Sequence, residues 1–442
     1  MTSGNRVAII GGGILGLTTA YRLLRSGADV TVYERSTDLG GLVGAFDFDG
    51  HRVDRFYHVV LPTDDRVRGL AEELGLGDRF RFRPTGVGFY DNDRLFSMNS
   101  LREFLTFPLL PPQDRIRLAA FVMRCQMTSS HEALDETPLD QWLRKHCGKR
   151  IVERLWQPLL DSKFDGRYDD LPATYLWART RRMSKTRDSA GREVMGWLEG
   201  GYETLIAALA DRIRSLGGTI HAGTAVDQIV GQDGHVTGVA LDGSLIPYDL
   251  VVCTLVPPLA RKLLTPDLAA TAPEDHCRYI GVICLLLRTT KSISPYYTLN
   301  ITDRRIPLTT VVETTHVVDP EYAGGHLLYV TKYVDPSHDD LKADPADVEA
   351  RYLAHARQMF PALTDDVVQS SVVQRAPAVE PVHLLGGAGR IPTMFPAPGL
   401  ALASTAHVYP ENVNGQAVLG VVDELVAGAR EQLARHESLV AA

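Results

Sequence analysis

The sequence predicts an α/β fold, a parallel sheet covered by helices, with a second unit of mixed α and β composition threaded through it. Three observations carry that reading. The chain opens on an apolar run, a glycine-rich turn and an amphipathic helix. Its 442 residues, 45% hydrophobic and 23% charged, suffice for a large core without disulfides, roughly three folding units by length alone. Glycine-led, strand-like segments return far downstream, around residues 200–254 and 399–416, so the opening unit is completed by distant parts of the chain.

Residues 7–10, Val-Ala-Ile-Ile, form a continuous apolar run, as expected of a parallel strand buried on both faces. Gly11, Gly13 and Gly16 follow in Gly-x-Gly-x-x-Gly spacing. Leu17, Ala20, Tyr21 and Leu24 recur at helical intervals, and Gly27 suits a left-handed helix end. Residues 29–33 give a second strand that delivers Glu34 at its carboxyl end. Strand, turn, helix and strand in this register make a Rossmann-type dinucleotide-binding unit. Gly11 permits the tight turn, Gly13 lets a pyrophosphate approach the backbone, and Gly16 lets the helix lie on the strand. The first helical turn, with Ile14 and Leu15, offers unpaired N–H groups, and Glu34 can accept from a ribose diol.

Arg35-Ser36-Thr37-Asp38-Leu39-Gly40-Gly41-Leu42 comes next. On these residues the chain resembles the flavoprotein superfamily of monoamine oxidase, protoporphyrinogen oxidase, phytoene desaturase and UDP-galactopyranose mutase. In that superfamily a βαβ unit ending in an acid is followed, after a short polar spacer, by a Gly-Gly doublet. The resemblance implies FAD, bound by a glutathione-reductase-like Rossmann-type domain with a discontinuous α+β substrate domain. Arg35, Gly40, Gly41 and Leu42 would then flank the nucleotide, the two glycines bringing backbone to the pyrophosphate from the opposite side.

The first return to this domain is Gly200-Gly201-Tyr202, leading into a helix over 203–216. Strands over 219–222, 225–230, 235–241 and 250–254 read as a small β-rich insertion, with Asp242-Gly243 as a hairpin turn. The resemblance implies backbone contacts from Val226 to adenine and places Thr254 beside the nucleotide. The second return is a small-residue strand over 399–407, then a helix opening near Asn414-Gly415-Gln416. By resemblance, that helix points its N-terminus at the flavin pyrimidine, where its dipole stabilises the negative charge of reduction. Ser404-Thr405 stands where many relatives carry Gly-Asp, and no Arg follows Pro410-Glu411. Residues 100–195 are helical in pattern, with starts at Pro111-Pro112 and Thr137-Pro138, whereas 278–375 are strand-rich. The expected division is an FAD-binding domain over 1–95, 196–277 and 376–442, and a substrate-binding domain over 96–195 and 278–375.

Candidate catalytic residues rest on the resemblance. His58 ends an extended segment expected near the flavin, with Arg55 and Tyr57 as neighbours; an imidazole of ordinary pKa suits proton transfer, and a loop-holding histidine is the other reading. Lys163, in the run from Trp156 to Phe164, can reach the flavin or an anionic group, or lie solvated on a helix face. Tyr333, His407 and Tyr409 complete the set. Arg179, Arg181, Arg182, Lys185, Arg187 and Arg192 form a basic run that either binds an anion in the cleft or joins the domains as a solvated stretch. Residues 105–110, Leu-Thr-Phe-Pro-Leu-Leu, read as a core-packing element rather than a membrane anchor.

Composition excludes other classes. Lys and Arg total 46 against 54 Asp and Glu, a formal charge of -8 that disfavours nucleic acid. The 5 cysteines are scattered and form no Cys-x-x-Cys pair, which argues against a zinc ribbon or redox motif and fits a reducing cytoplasm; no metal is expected. The last, Cys284, lies too far from the C-terminus for the cysteinyl flavin link of some amine oxidases. The longest apolar run, 279–287, falls short of the roughly 20 residues a transmembrane helix needs, and no secretory signal is evident. The expected function is an FAD-dependent oxidoreductase acting on a small molecule, anionic or sugar-containing. It oxidises a C–N, C–O or C–C bond by hydride transfer to flavin N5, with oxygen or another acceptor restoring the flavin. The alternatives are a non-redox flavoenzyme acting on a nucleotide sugar, as the pyranose mutase does, and a non-catalytic flavin-binding protein.

Overall fold

The computed structural model describes residues 5–188 and 192–440. Arg6–Ile10 is the central strand of a five-stranded parallel sheet. It pairs with Asp29–Glu34 on one side and Leu250–Cys253 on the other, and Thr219–Ala222 and Leu400–Leu402 form the edges. Val7, Ala8 and Ile9 are fully buried, which is why the run shows no polar alternation. Helices Ile14–Leu24, Gly201–Ser215 and Gly415–Val440 cover one face in a shared core with Val7, Ile9, Val30 and Val32. Ala8, Ile10, Val251 and Cys253 pack on the other face, against a three-stranded antiparallel sheet.

That small sheet contains Gln228–Gln232, His235–Leu241 and Ser244–Pro247, so the β-rich insertion is smaller than its sequence suggests. The flanking strands Thr219–Ala222 and Leu250–Cys253 belong to the main sheet. Their partners lie some two hundred residues away, and no local pattern reveals such pairing. Asp242 and Gly243 both take positive φ, 48° and 74°, as an Asp-Gly hairpin turn requires. The small-residue strand near the C-terminus is also shorter than its composition implies, at Leu400–Leu402. Ser404 ends it, because its hydroxyl accepts the Ala406 N–H at 3.2 Å and starts the 3-10 turn Thr405–His407.

A seven-stranded sheet forms the second layer, in the order Val368–Val382, Arg278–Thr289, His326–Val334, Thr310–Glu313, Thr298–Ile301, Val87–Asp91, Arg94–Ser97. Every pairing is antiparallel except that of Thr298–Ile301 with Val87–Asp91. Helix Pro345–Met359 covers the face bearing Ile283, Leu285 and Val330. The opposite face, with Val282, Cys284, Leu286 and Tyr329, packs on Phe48, Val53 and Phe56 from the segment after the Gly-Gly doublet. Helices Pro112–Met127, Leu139–Cys147, Gln157–Phe164 and Thr174–Ser184 build a separate core around Phe121, Trp142, Phe164 and Trp177. Pro158 has no N–H to give the preceding turn, and Val152–Trp156 winds as a wider π turn there before Gln157–Phe164 presents Lys163.

Candidate active site

The glycine turn lies at the carboxyl rim of the parallel sheet. Gly11 has φ of +113°, and a Cβ there would stand 2.3 Å from the Thr254 hydroxyl. A Cβ on Gly16 would stand 2.0 Å from the Gly11 carbonyl oxygen, so the crossing of helix and strand admits only glycine. Gly13 differs. Its φ of -77° suits any residue, and a Cβ would meet nothing nearer than the Gly40 carbonyl oxygen at 3.9 Å. Packing therefore does not demand glycine at position 13, whereas a ligand approaching the backbone would. The helix that begins at Ile14 has no side-chain cap and no acid in its first turn, which leaves its N–H groups for an anion. Gly40 and Gly41, with φ of +107° and +59°, lie across from Gly13, and the Gly40 N–H donates to the Gly12 carbonyl at 2.8 Å. These residues fit a dinucleotide pyrophosphate.

Glu34 accepts from the Gly12 N–H at 2.7 Å and from the Ser36 N–H at 2.8 Å. It braces the turn and keeps lone pairs for a ribose diol. Thr254 donates to the Ile10 carbonyl at 3.0 Å and closes the rim from the next strand. Val226 is buried beside Ile10 and Tyr33. Arg35 and Leu42 lie exposed on the loop around the doublet, while Ile14 and Leu15 are buried under the helix. Asn414 accepts the Ala417 N–H at 3.0 Å and caps the C-terminal helix. Gln416 accepts the Arg66 N–H at 2.7 Å, and Gly415 lets the Tyr202 hydroxyl approach, its virtual Cβ lying 3.0 Å away.

The second half of the site is made of side chains. The Tyr57 and Tyr333 hydroxyls meet at 3.1 Å. The Lys163 ammonium lies 3.4 Å from the Tyr333 ring centroid and donates to Glu380 at 2.7 Å, so it is paired rather than solvated. Tyr175 packs edge-on against Phe164 at 5.0 Å, and Arg179 follows one helical turn later on the same face. Arg179 is exposed, is hydrogen-bonded to Tyr175, and its charge reaches Tyr57, Tyr333, Glu380 and Glu193. Burial holds the Tyr57 phenol well above its usual range and pushes Tyr333 up to about 12, so both are neutral hydrogen-bonding groups.

His58 faces Tyr202 edge-on at 5.5 Å, and its Nδ1 is buried without a partner among the described residues. Burial lowers its pKa to about 4, the Phe56 backbone opposing the shift. This corrects the expectation of an imidazole of ordinary pKa: the ring is neutral at pH 7. The Arg55 N–H donates to the Gly44 carbonyl at 3.1 Å, and its guanidinium Nε is likewise buried without a partner. His407 closes the capping box of its 3-10 turn, Nδ1 lying 3.1 Å from the Ser404 nitrogen, and burial lowers its pKa. Tyr409 is hydrogen-bonded to Asp135 and, at 3.0 Å, to Thr174, which ties it to the helical layer.

The basic run does not converge. Arg182 pairs with buried Asp64 at 2.9 Å, Arg192 pairs with Asp188 at 2.9 Å, and Arg181 lies over Trp177 and donates to the Thr128 carbonyl. Lys185 is exposed, and Arg187 bridges to Glu193 along the backbone. Arg179 alone of the six joins the tyrosines. Sequence reasoning also passed over Glu380, Tyr175 and Asp54. Only the Tyr175 and Arg179 spacing on one helix was available as a signal. Asp54 lies beside Gly201, and burial followed by the Glu203 charge raises its pKa to about 7.

The sequence matches the family described as Flavin containing amine oxidoreductase over residues 15–413. It is 25% identical over 329 residues to coproporphyrinogen III oxidase of Propionibacterium freudenreichii subsp. freudenreichii, spanning 60% of each chain. It is 24% identical over 386 residues to 15-cis-phytoene desaturase of Synechococcus elongatus, spanning 80% of each. The crystal structure of an oxidoreductase from Methanosarcina mazei superimposes with a TM-score of 0.73 at 20% identity, covering 96% of this chain and 100% of that one.

Proposed function

Because the chain belongs to the flavin containing amine oxidoreductase family and takes FAD as its cofactor, we propose that it is an FAD-dependent oxidoreductase acting on a small molecule. The observation that carries this reading is Gly13, a glycine the protein does not need and a bound pyrophosphate does. Gly11, Gly13, Ile14, Leu15, Gly16, Gly40, Gly41 and Leu42 hold the diphosphate, Glu34, Arg35, Val226 and Thr254 the adenosine half, and Asn414, Gly415 and Gln416 the flavin end. FAD, when bound, supplies the two-electron acceptor. The chain's own residues position and exclude. Tyr57 and Tyr333 form one hydrogen-bonded wall, and the Lys163–Glu380 pair fixes the Tyr333 ring. Arg179, exposed beside the tyrosines, holds an anionic or oxygen-rich group of the substrate. His58, neutral at physiological pH, packs and hydrogen-bonds rather than delivering a proton.

The division into an FAD-binding part, 1–95, 196–277 and 376–442, and a substrate-binding part, 96–195 and 278–375, belongs to the same proposal. Membership of the two large sheets supports the division in outline but not at two of its boundaries, because Val87–Asp91, Arg94–Ser97 and all of Val368–Val382 pair in the larger sheet and so go with the substrate-binding part. No described helix is long and apolar enough to cross a membrane. We propose a cytoplasmic protein, on the strength of free cysteines of which four of five are buried, and no nucleic-acid partner, on its charge.

The test is anaerobic mixing of the flavin-loaded chain with amines, hydroxylated sugars, nucleotide sugars and polyenes. A compound that bleaches the flavin absorbance supports the reading. Turnover of a nucleotide sugar only after the flavin has been reduced would replace it with mutase-like chemistry.

A further inference from the structure

The larger sheet carries, on the face away from the tyrosine cleft, cations that no acid answers. Ile283 pairs with Lys332 on one side and with Arg375 on the other, so the three stand in a row on the face covered by helix Pro345–Met359. Two strand spacings put the outer Cα atoms about 10 Å apart, a gap that a lysine and an arginine side chain span together. Successive strand residues alternate, so Lys332 lies on this face and Tyr333 on the other. The 3-10 turn Asp339–Leu341 packs against strand Val368–Val382, which bears Arg375, and its N-cap residue His338 meets Lys332. Burial, then the Lys332 charge, lowers the pKa of His355 on the covering helix.

Hydrogen-bond direction shows what the row lacks. The Asp340 N–H donates to His338 Nδ1 at 3.1 Å, so the ring carries its proton on Nε2. The Lys332 ammonium, which can only donate, lies 3.0 Å from that same Nε2. Two donors therefore face each other. Arg375 repeats the pattern, with Nε and Nη2 buried without a partner among the described residues. Those two N–H groups form the edge of a guanidinium that grips two oxygens of one oxyanion. The nearby acids are engaged elsewhere: Asp340 pairs with Arg351, Glu349 accepts from Ser371, and Asp335 is held by Arg167 and Ser337. Asp339 is exposed, and neither Lys332 nor Arg375 forms an ion pair among the described residues. A half-buried cation without counter-charge is costly, and two of them side by side call for two negative charges.

We propose that Lys332, His338 and Arg375 hold a small phosphate dianion, free or as the monoester of a small molecule, on the outer face of the larger sheet. A carboxylate would answer only one of the two charges. The experiment is calorimetric titration of the flavin-loaded full chain, in phosphate-free buffer of constant ionic strength, with inorganic phosphate, glycerol 3-phosphate and acetate. Loading with flavin keeps the pyrophosphate cradle occupied. Phosphate or glycerol 3-phosphate is expected to bind at one site, at least about tenfold tighter than acetate, and the tighter of the two identifies the source. Arg375→Met and Lys332→Gln should each weaken that binding at least about tenfold, whereas Arg179→Leu, on the cleft side, should not. Arg375→Met should also melt above the wild type without phosphate and lose the rise in melting temperature that phosphate gives the wild type. Should Arg375→Met misfold, Lys332→Gln and the contrast between phosphate and acetate in the wild type still decide. No phosphate or monoester binding, binding indifferent to both variants, or binding lost in Arg179→Leu alone would overturn the proposal.

Discussion

The glycine rim proposed for the nucleotide and the side-chain cluster proposed for the substrate are built from different materials. The rim is backbone: glycines at 11, 13, 16, 40 and 41, N–H groups of a helix end, and one bracing carboxylate, most of it within a single stretch of chain. The cleft is side chains from five segments, Tyr57, Lys163, Tyr175 with Arg179, Tyr333 and Glu380. A backbone site writes itself into the sequence, because glycine is the only residue that permits it. A side-chain site leaves no such trace, because each residue type also serves elsewhere as ordinary packing.

The sharpest way to break this contrast is inside the glycine turn. Gly16→Ala should cost more than about 3 kcal/mol in thermal or urea unfolding, since its Cβ would stand 2.0 Å from the Gly11 carbonyl oxygen. Gly13→Ala should leave the apoprotein as stable as the wild type or about 0.5 kcal/mol more so, while weakening FAD at least about tenfold in a fluorescence titration. If both variants fail alike, Gly13 serves packing and the cradle reading is wrong.

In the cleft the largest effect expected is at the Lys163–Glu380 pair, which is about 85% removed from solvent on both sides. Glu380→Gln should cost about 3 kcal/mol of unfolding free energy, and adding Lys163→Met should restore much of it. Additive losses would mean that the two side chains act separately.

Next in size is a pair of opposed pH slopes. Burial, reinforced by Glu203, raises Asp54 to about 7, so the folded chain keeps a proton that the unfolded chain releases near the ordinary carboxyl value of 3.8. Stability from this group falls as pH rises through that window, and Asp54→Asn should gain on the wild type from about pH 4 upwards and level off above 7. His58, lowered to about 4 from 6.5, acts in reverse: stability falls as pH drops from 6.5 towards 4, and His58→Gln should flatten that limb. Melting temperatures across pH 4 to 8 check both slopes. The smallest effect is Tyr333→Phe, which removes the 3.1 Å hydroxyl contact with Tyr57 and should cost about 1 kcal/mol.

Much of the fold was legible in the sequence for the same reason the rim was. The unbroken run at 7–10, the glycine spacing and Glu34 state a buried parallel strand, a tight turn and an acidic rim in one place. Strand partners of the 219–222 and 250–253 segments were not legible, because parallel pairing across the chain depends on the assembled sheet. Tyr57, Lys163 and Tyr333 were found through resemblance, yet nothing nearby shows that Glu380 neutralises Lys163 or that burial strips His58 of its proton. Arg179 was visible only as one of six basic residues, and folding decides which of them meets the tyrosines.

The claim that backbone serves the cofactor and side chains serve the substrate is tested most directly by FAD titration of three apoproteins, wild type, Gly13→Ala and Arg179→Leu, monitored by flavin fluorescence. The account predicts affinity at least about tenfold weaker for Gly13→Ala and within about twofold of wild type for Arg179→Leu. Equal affinity for Gly13→Ala, or a loss confined to Arg179→Leu, would contradict it.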